Sequence, residues 1–258
     1  MTHTYPLYSS VRATTPDRYL SLAEVVDLVR SPTVGPKSNA PALTPFHAEA
    51  KTKDAAVKAQ YHALVMDHDD DNLTAAEIRS LYGTYGVAYL LWASSSHQQD
   101  KGGVTANRWK VLIPLSSASS YERYTALAAG LTIHHGADPA QARAQQVFYA
   151  PNKLTPGAPY EYIDATECPF LDPDDTSHPL VVAALSANRQ EQEARQQKAV
   201  QAPVRARQVS ANDAGIIGKV CQQYDMEGEL QRHGYRRVGR KYLSPNSTTG
   251  VPGVHIFT

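Results

Sequence analysis

The sequence predicts an α/β (α+β) fold: a small central antiparallel sheet flanked by helices, followed by a small basic helical unit. Three observations carry this. Apolar runs at Ala63–Met66, Val87–Ala93 and Val111–Leu115 are too short for globular helices and too continuous for half-exposed strands, so they read as buried strands. Helical stretches alternate with them, at Ser21–Arg30, Thr74–Tyr82 and Ser119–Leu131. The second and third runs are joined by the polar loop Gln98–Ala106, which turns the chain back and sets those strands antiparallel.

At 258 residues and 42% hydrophobic composition the chain can bury one substantial core with a small second unit beside it. No apolar run approaches the ~20 residues of a membrane helix. The opening Met1-Thr2-His3-Thr4-Tyr5 lacks the charged and apolar regions of a signal peptide, so the expected location is the cytoplasm. Cys168 and Cys221 lie far apart with no CxxC or Cys/His cluster, so neither a disulfide framework nor zinc is expected. Net charge is zero but uneven: residues 181–258 hold 11 Lys and Arg against 6 Asp and Glu, leaving 14 against 19 before them. A basic tail on an acidic body suits a phosphate-bearing partner, and equally a solvated charged helix.

In order, Tyr5–Val11 reads as a first strand. Ser21–Arg30 reads as a capped helix with Leu22, Val25, Val26 and Val29 on one face. Ser31–Pro45, with four prolines, reads as a loop, and Lys53–Gln60 as a helix feeding the first buried strand. That strand ends in Asp67-His68-Asp69-Asp70-Asp71. Alternation puts Asp67 and Asp69 on one face and His68 on the other. Two carboxylates on one face repel unless a cation lies between them, and hard oxygen ligands suit Mg2+ or Mn2+. Turn and cap roles are the other reading of such acids, and Thr74 with Glu77 three residues on has the form of a capping box.

The second buried strand ends in Ser94-Ser95-Ser96-His97, hydroxyl and imidazole groups able to meet phosphate oxygens or simply to open a loop. The third begins Arg108-Trp109-Lys110-Val111, with both cations on one face, either toward a triphosphate or toward solvent. Tyr121, Tyr124, Leu127 and Leu131 face inward on the next helix. Asp138 precedes Pro139, as a helix cap or a third carboxylate, and Gln146–Pro151 reads as a fourth strand.

The order of these features resembles the archaeo-eukaryotic primase superfamily, in its phage and plasmid primase-helicase branch. Its DxD acids map to Asp67 and Asp69, its Ser-x-His to Ser95 and His97, and its hydrophobic-Asp motif to Ala137-Asp138. Arg108–Leu115 resembles the basic strand of the mobile-element branch, and Val147–Pro151 the strand after the third motif. The resemblance covers about Ala63 to Asn152 and departs at Ala93, where some members have lysine. It implies a primase-type catalytic domain, a nucleotidyltransferase that builds primers on single-stranded DNA from NTPs or dNTPs. Asp67, Asp69 and Asp138 would bind two Mg2+ or Mn2+ ions, with Ser95, His97, Arg108 and Lys110 on the nucleotide.

The expected division is a catalytic domain over 1–180, a helical linker over 181–209 and a basic unit over 210–258. In the last, Tyr235, Arg236, Arg237, Arg240, Lys241 and Tyr242 interleave aromatic and basic groups as a single-strand-binding surface does. The end at Val254–Thr258 reads like the middle of a strand, so a longer protein is expected. No G-x-x-x-x-G-K-[ST] occurs, so any helicase would be a domain or partner outside this sequence. Two other functions remain open: a replication initiator or single-strand-binding module without chemistry, and a metal-dependent nuclease.

Overall fold

The structure, a computed structural model, describes residues 3–69, 72–100, 105–143, 146–201, 225–239, 241–247 and 251–254. The chain divides into two units, Met1–Gln201 and Ala202–Thr258. In the first, β1 (Tyr5–Tyr8), β2 (Arg18–Leu20), α1 (Leu22–Arg30), β3 (Thr33–Val34), β4 (Ala42–Leu43), β5 (Phe46–His47) and α2 (Lys53–Lys58) lead to β6 (Gln60–His68). Then come α3 (Ala75–Gly83), β7 (Leu90–Ala93), β8 (Trp109–Ser119), α4 (Tyr121–His135), β9 (Phe148–Tyr149), β10 (Asn152–Lys153), β11 (Tyr162–Asp164) and α5 (Pro179–Gln201).

The architecture is mixed α/β with antiparallel sheets, as the sequence predicts. The main sheet runs β11-β7-β8-β6-β5, every pair antiparallel. The strands read as unbroken apolar runs because this sheet is covered on both faces. Leu64, Met66, Leu91, Val111 and Ile113 pack with Tyr124, Leu127 and Leu131 of α4 and with Leu180, Val181 and Ala184 of α5. Ala63, Val65, Leu90, Trp92 and Leu112 pack with Tyr5, Leu20, Val25, Val29, Leu43 and Phe148. A register shift between Tyr61 and Ala63 lets Tyr61 and Leu64 face the same core.

The capping box predicted at Thr74 forms, and the capped start of α1 is a second one. Ser21 pairs reciprocally with Glu24 ahead of α1, and Thr74 with Glu77 ahead of α3. The segment Ser31–Pro45 is more than a loop. Its prolines confine β3 and β4 to two residues each, and their partners lie far along the chain, Asn152 opposite Thr33 and Phe148 opposite Leu43. The predicted fourth strand is therefore β9 of a second sheet, ordered β2-β1-β4-β9. The stretch expected as a linker from 181 begins inside α5, whose first turns are core.

Helices α4 and α5 meet closely at Gly130. A Cβ built there would stand 1.8 Å from the carbonyl oxygen of Ala184, a backbone atom that cannot swing aside. Gly130→Ala should therefore cost about 1–3 kcal/mol, the usual range for overpacking. A urea midpoint unchanged from the parent chain would contradict this close approach.

His135 lies against Tyr82, Tyr85 and His134, with both ring nitrogens buried and unpaired among the described residues. Burial, then the neighbouring His134 and His68, holds its pKa down at about 4. The unfolded chain takes up that proton near 6.5, so the neutral-ring stability is full above about 6.5 and is lost as pH falls toward 4. Thermal midpoints should fall through that window, and His135→Gln should flatten the fall. His62, held at about 4 chiefly by burial, adds to the same window.

Candidate active site

Because β6 and β7 each run antiparallel to β8, they run the same way, and their C-terminal ends meet the start of β8 at one end of the sheet. In register, Trp92 faces Lys110, which faces Asp67; Ala93 faces Trp109, which faces His68. The carboxylate strand, the Ser-x-His segment and the basic strand thus share one sheet end.

Asp67 lies on the face of Ala63 and Val65, and Lys110 donates to its Oδ2 from the opposed position on β8. The two side chains are 11% and 5% exposed, so this is a buried pair. Gln141 Nε2 approaches the same oxygen at 3.4 Å, while Oδ1 is buried with no partner among the described residues. A buried carboxylate oxygen lacking a donor is a position for a cation or a proton-bearing ligand. Beyond β5 the outer edge of β6 is covered by the 3-10 turn Pro139–Ala142, through Asp138 N–H donating to the Asp67 carbonyl at 2.8 Å.

Asp138 is thereby brought beside Asp67, yet its own Oδ1 accepts from Ala140 N–H at 2.8 Å and caps that turn. Asp69 sits half-buried just past the strand. Asp70 and Asp71 lie outside the described residues. Among the described residues no group of three or more His, Cys, Asp or Glu side chains is placed to hold a metal ion. The fit to a cation is narrower than expected: one acid, Asp67, with an ammonium on one oxygen and the other unpaired. His68 points away from Asp67, bonded through Nε2 to Tyr82 Oη at 2.8 Å.

His97 is fully buried, its ring 4.4 Å from that of Trp109, and Trp109 belongs to the core opposite Asp67. Its Nδ1 lies 3.0 Å from Arg108 N and 3.3 Å from Arg108 O, accepting from that N–H in one tautomer and donating to that carbonyl in the other. That Nε2 is buried without a partner among the described residues. Burial lowers the ring's pKa, partly offset by the backbone contact and by Glu161, so the His97 ring is neutral at pH 7. Ser95 is half-buried in the turn, and Ser94 and Ser96 share a hydroxyl bond of 3.2 Å. Arg108 donates to Ser96 O at 2.7 Å, tying the basic strand to the Ser-x-His turn. Sequence reasoning missed Gln141 and Trp109, whose Nε1 donates to Leu73 O at 2.6 Å. A buried glutamine carries no local signal.

The second unit is described by α6 (Met226–Arg232), β12 (Arg236–Val238) and β13 (Lys241–Leu243), the two strands forming an antiparallel hairpin. Arg236 and Lys241 are exposed and Tyr235 is half-buried. Arg237 is paired with Glu227 at 3.0 Å, and Tyr242, 4% exposed, pairs across to Val254. Arg240 lies outside the described residues.

No family model matches this sequence, and no curated protein does. Among solved structures the chain is similar to the AEP domain of the primase-polymerase (PrimPol) of Cyanophage S-2L, at 16% identity over 69% of this chain and 89% of that one, with a TM-score of 0.44. No described helix is long and apolar enough to cross a membrane.

Removing one partner of a buried pair strands the other charge. Lys110→Met should destabilise the first unit by about 3–5 kcal/mol, and adding Asp67→Asn should restore most of that. Equal urea midpoints for Lys110→Met and the parent would show the pair to be solvated.

Proposed function

We propose that this chain is a DNA-templated primase-polymerase of the archaeo-eukaryotic type, joining NTPs or dNTPs on single-stranded DNA in phage- or plasmid-type replication. The observation that carries the reading is Asp67. It is the first acid of a DxD motif, buried at a sheet end with its Oδ1 unpaired among the described residues, where the Ser-x-His segment ends and the basic strand begins. Asp67, Asp69 and Asp138 would hold the divalent ions, Mg2+ or Mn2+. Bound there, such ions neutralise charge building on the attacking and leaving oxygens.

The remaining residues act by binding and orientation. Lys110 neutralises Asp67 and offers a second cation to phosphate oxygens. Arg108 braces the turn that carries Ser95 and His97, and the neutral His97 ring would meet a phosphate oxygen through Nε2 when that nitrogen carries the proton. The exposed Arg236 and Lys241, with Tyr235, would track the single strand in the second unit. A helicase domain or partner outside this sequence would supply unwinding.

The buried Asp67–Lys110 pair favours a second reading, a single-strand-binding initiator in which lysine replaces the metal. The assay that separates them incubates the chain with single-stranded DNA, labelled nucleotides and Mg2+ or Mn2+. Incorporation that falls to background in Asp67→Asn and Asp69→Asn is expected. DNA binding with no incorporation under either metal would leave the initiator, and shortened DNA would mean a nuclease.

A further inference from the structure

On the sheet face opposite Asp67, a cavity of about 330 Å3 opens between the first turn of α3 and the β7–β11 edge. That volume lies at the lower end of the ~300–1,000 Å3 range of ligand clefts. Its floor is apolar, from Leu91 and Ile163, which face each other across β7 and β11. Glu161 holds the strand side, fixed by its carbonyl accepting from Ala93 N–H at 2.9 Å. Glu161 precedes β11 and continues its pairing opposite Ala93, which puts it on the face of Ile163. The helix side presents Arg79 and the first-turn N–H groups of Ala75 and Ala76, which have no intrahelical acceptor. Arg79 and Glu161 form no ion pair with each other or with any other described residue.

An apolar floor between a guanidinium and a carboxylate, with Tyr162 also lining the cavity, suits an occupant with an apolar face, acceptors toward Arg79 and donors toward Glu161. A phosphate alone would meet Glu161 with like charge, and an amine alone would meet Arg79. Guanine meets both terms: O6 and N7 accept from an arginine, while N1–H and the N2 amine donate to a carboxylate. Adenine offers N7 but no O6, and its amine stands where Arg79 would donate.

We propose that this cavity binds a guanine base, with the sugar and phosphate outside. The base would belong either to a free guanine nucleotide or to a guanine in a single strand. The inference does not depend on nucleotidyl transfer, because neither Arg79 nor Glu161 belongs to the Asp67 site. It is tested without metal, so its failure and the failure of that reading are separate events.

The test is calorimetric titration of the full chain in EDTA with guanosine monophosphate, adenosine monophosphate, and short single strands with and without one guanine. Guanine ligands should bind about tenfold or more tightly than adenine ligands, the discrimination a bidentate base contact gives. Glu161→Gln and Arg79→Gln, both on exposed side chains, should each abolish that preference while the unfolding midpoint stays at the parental value. A preference seen with strands alone assigns the site to a guanine within DNA or RNA, and one seen also with the monophosphate assigns it to the free nucleotide. Equal affinity for guanine and adenine ligands in every arm, or a preference that survives Glu161→Gln, overturns the proposal.

Discussion

Asp67 and Lys110 face one another across β6 and β8 in a region stripped of water, and this pair constrains everything at that end of the sheet. Desolvating a carboxylate and an ammonium costs several kcal/mol each, and only close contact between them offsets it. Contact requires the strand register that places residue 67 opposite residue 110. A slip of one residue would turn Lys110 into the opposite core and bring Trp109 against Asp67. The continuous apolar run Ala63–Met66 tolerates no such slip, since its neighbours fill two separate cores. Packing far from the site thus enforces the electrostatics within it.

The pair also explains why the acids do not gather as the motif alone suggests. Asp67 already has a cation on Oδ2, and Asp138 has spent an oxygen on capping its own turn. One oxygen of Asp67 and one of Asp138 are thus engaged locally. A divalent ion would compete with Lys110 for one oxygen and would find the other, Oδ1, unclaimed among the described residues. The ammonium of Lys110 offsets the cost of burying the Asp67 carboxylate, which a neutral partner would offset less.

What could be read in advance followed physical locality. The caps at Ser21 and Thr74 are three-residue signals, and both formed with their glutamates. The buried strands announced themselves because both faces of the main sheet are covered. The two-residue strands β3, β4, β9 and β10 carry no period to detect, and their partners lie more than a hundred residues apart in sequence. The same distance hides Gln141 from any reading of β6, and it hid the core role of early α5, where only the missing Cβ of Gly130 admits Ala184. In the second unit the interleaved aromatic and basic pattern read as one surface. The hairpin instead buries Tyr242 and gives Arg237 to Glu227, because two strands alone must use some of their own side chains as a core.

Alternation also lets one sheet end serve two chemistries. Along β6, β7 and β8 the odd and even positions look into different layers, so Asp67 and Lys110 address one face while Trp109 and Leu91 address the other. Between the layers stands His97, whose ring rests on Trp109 and whose Nδ1 is held by the backbone of Arg108, the residue that also grips the Ser96 carbonyl. Glu161 reaches the same ring electrostatically from the cavity side. The histidine therefore links the turn at this sheet end to the core on the face opposite the acid.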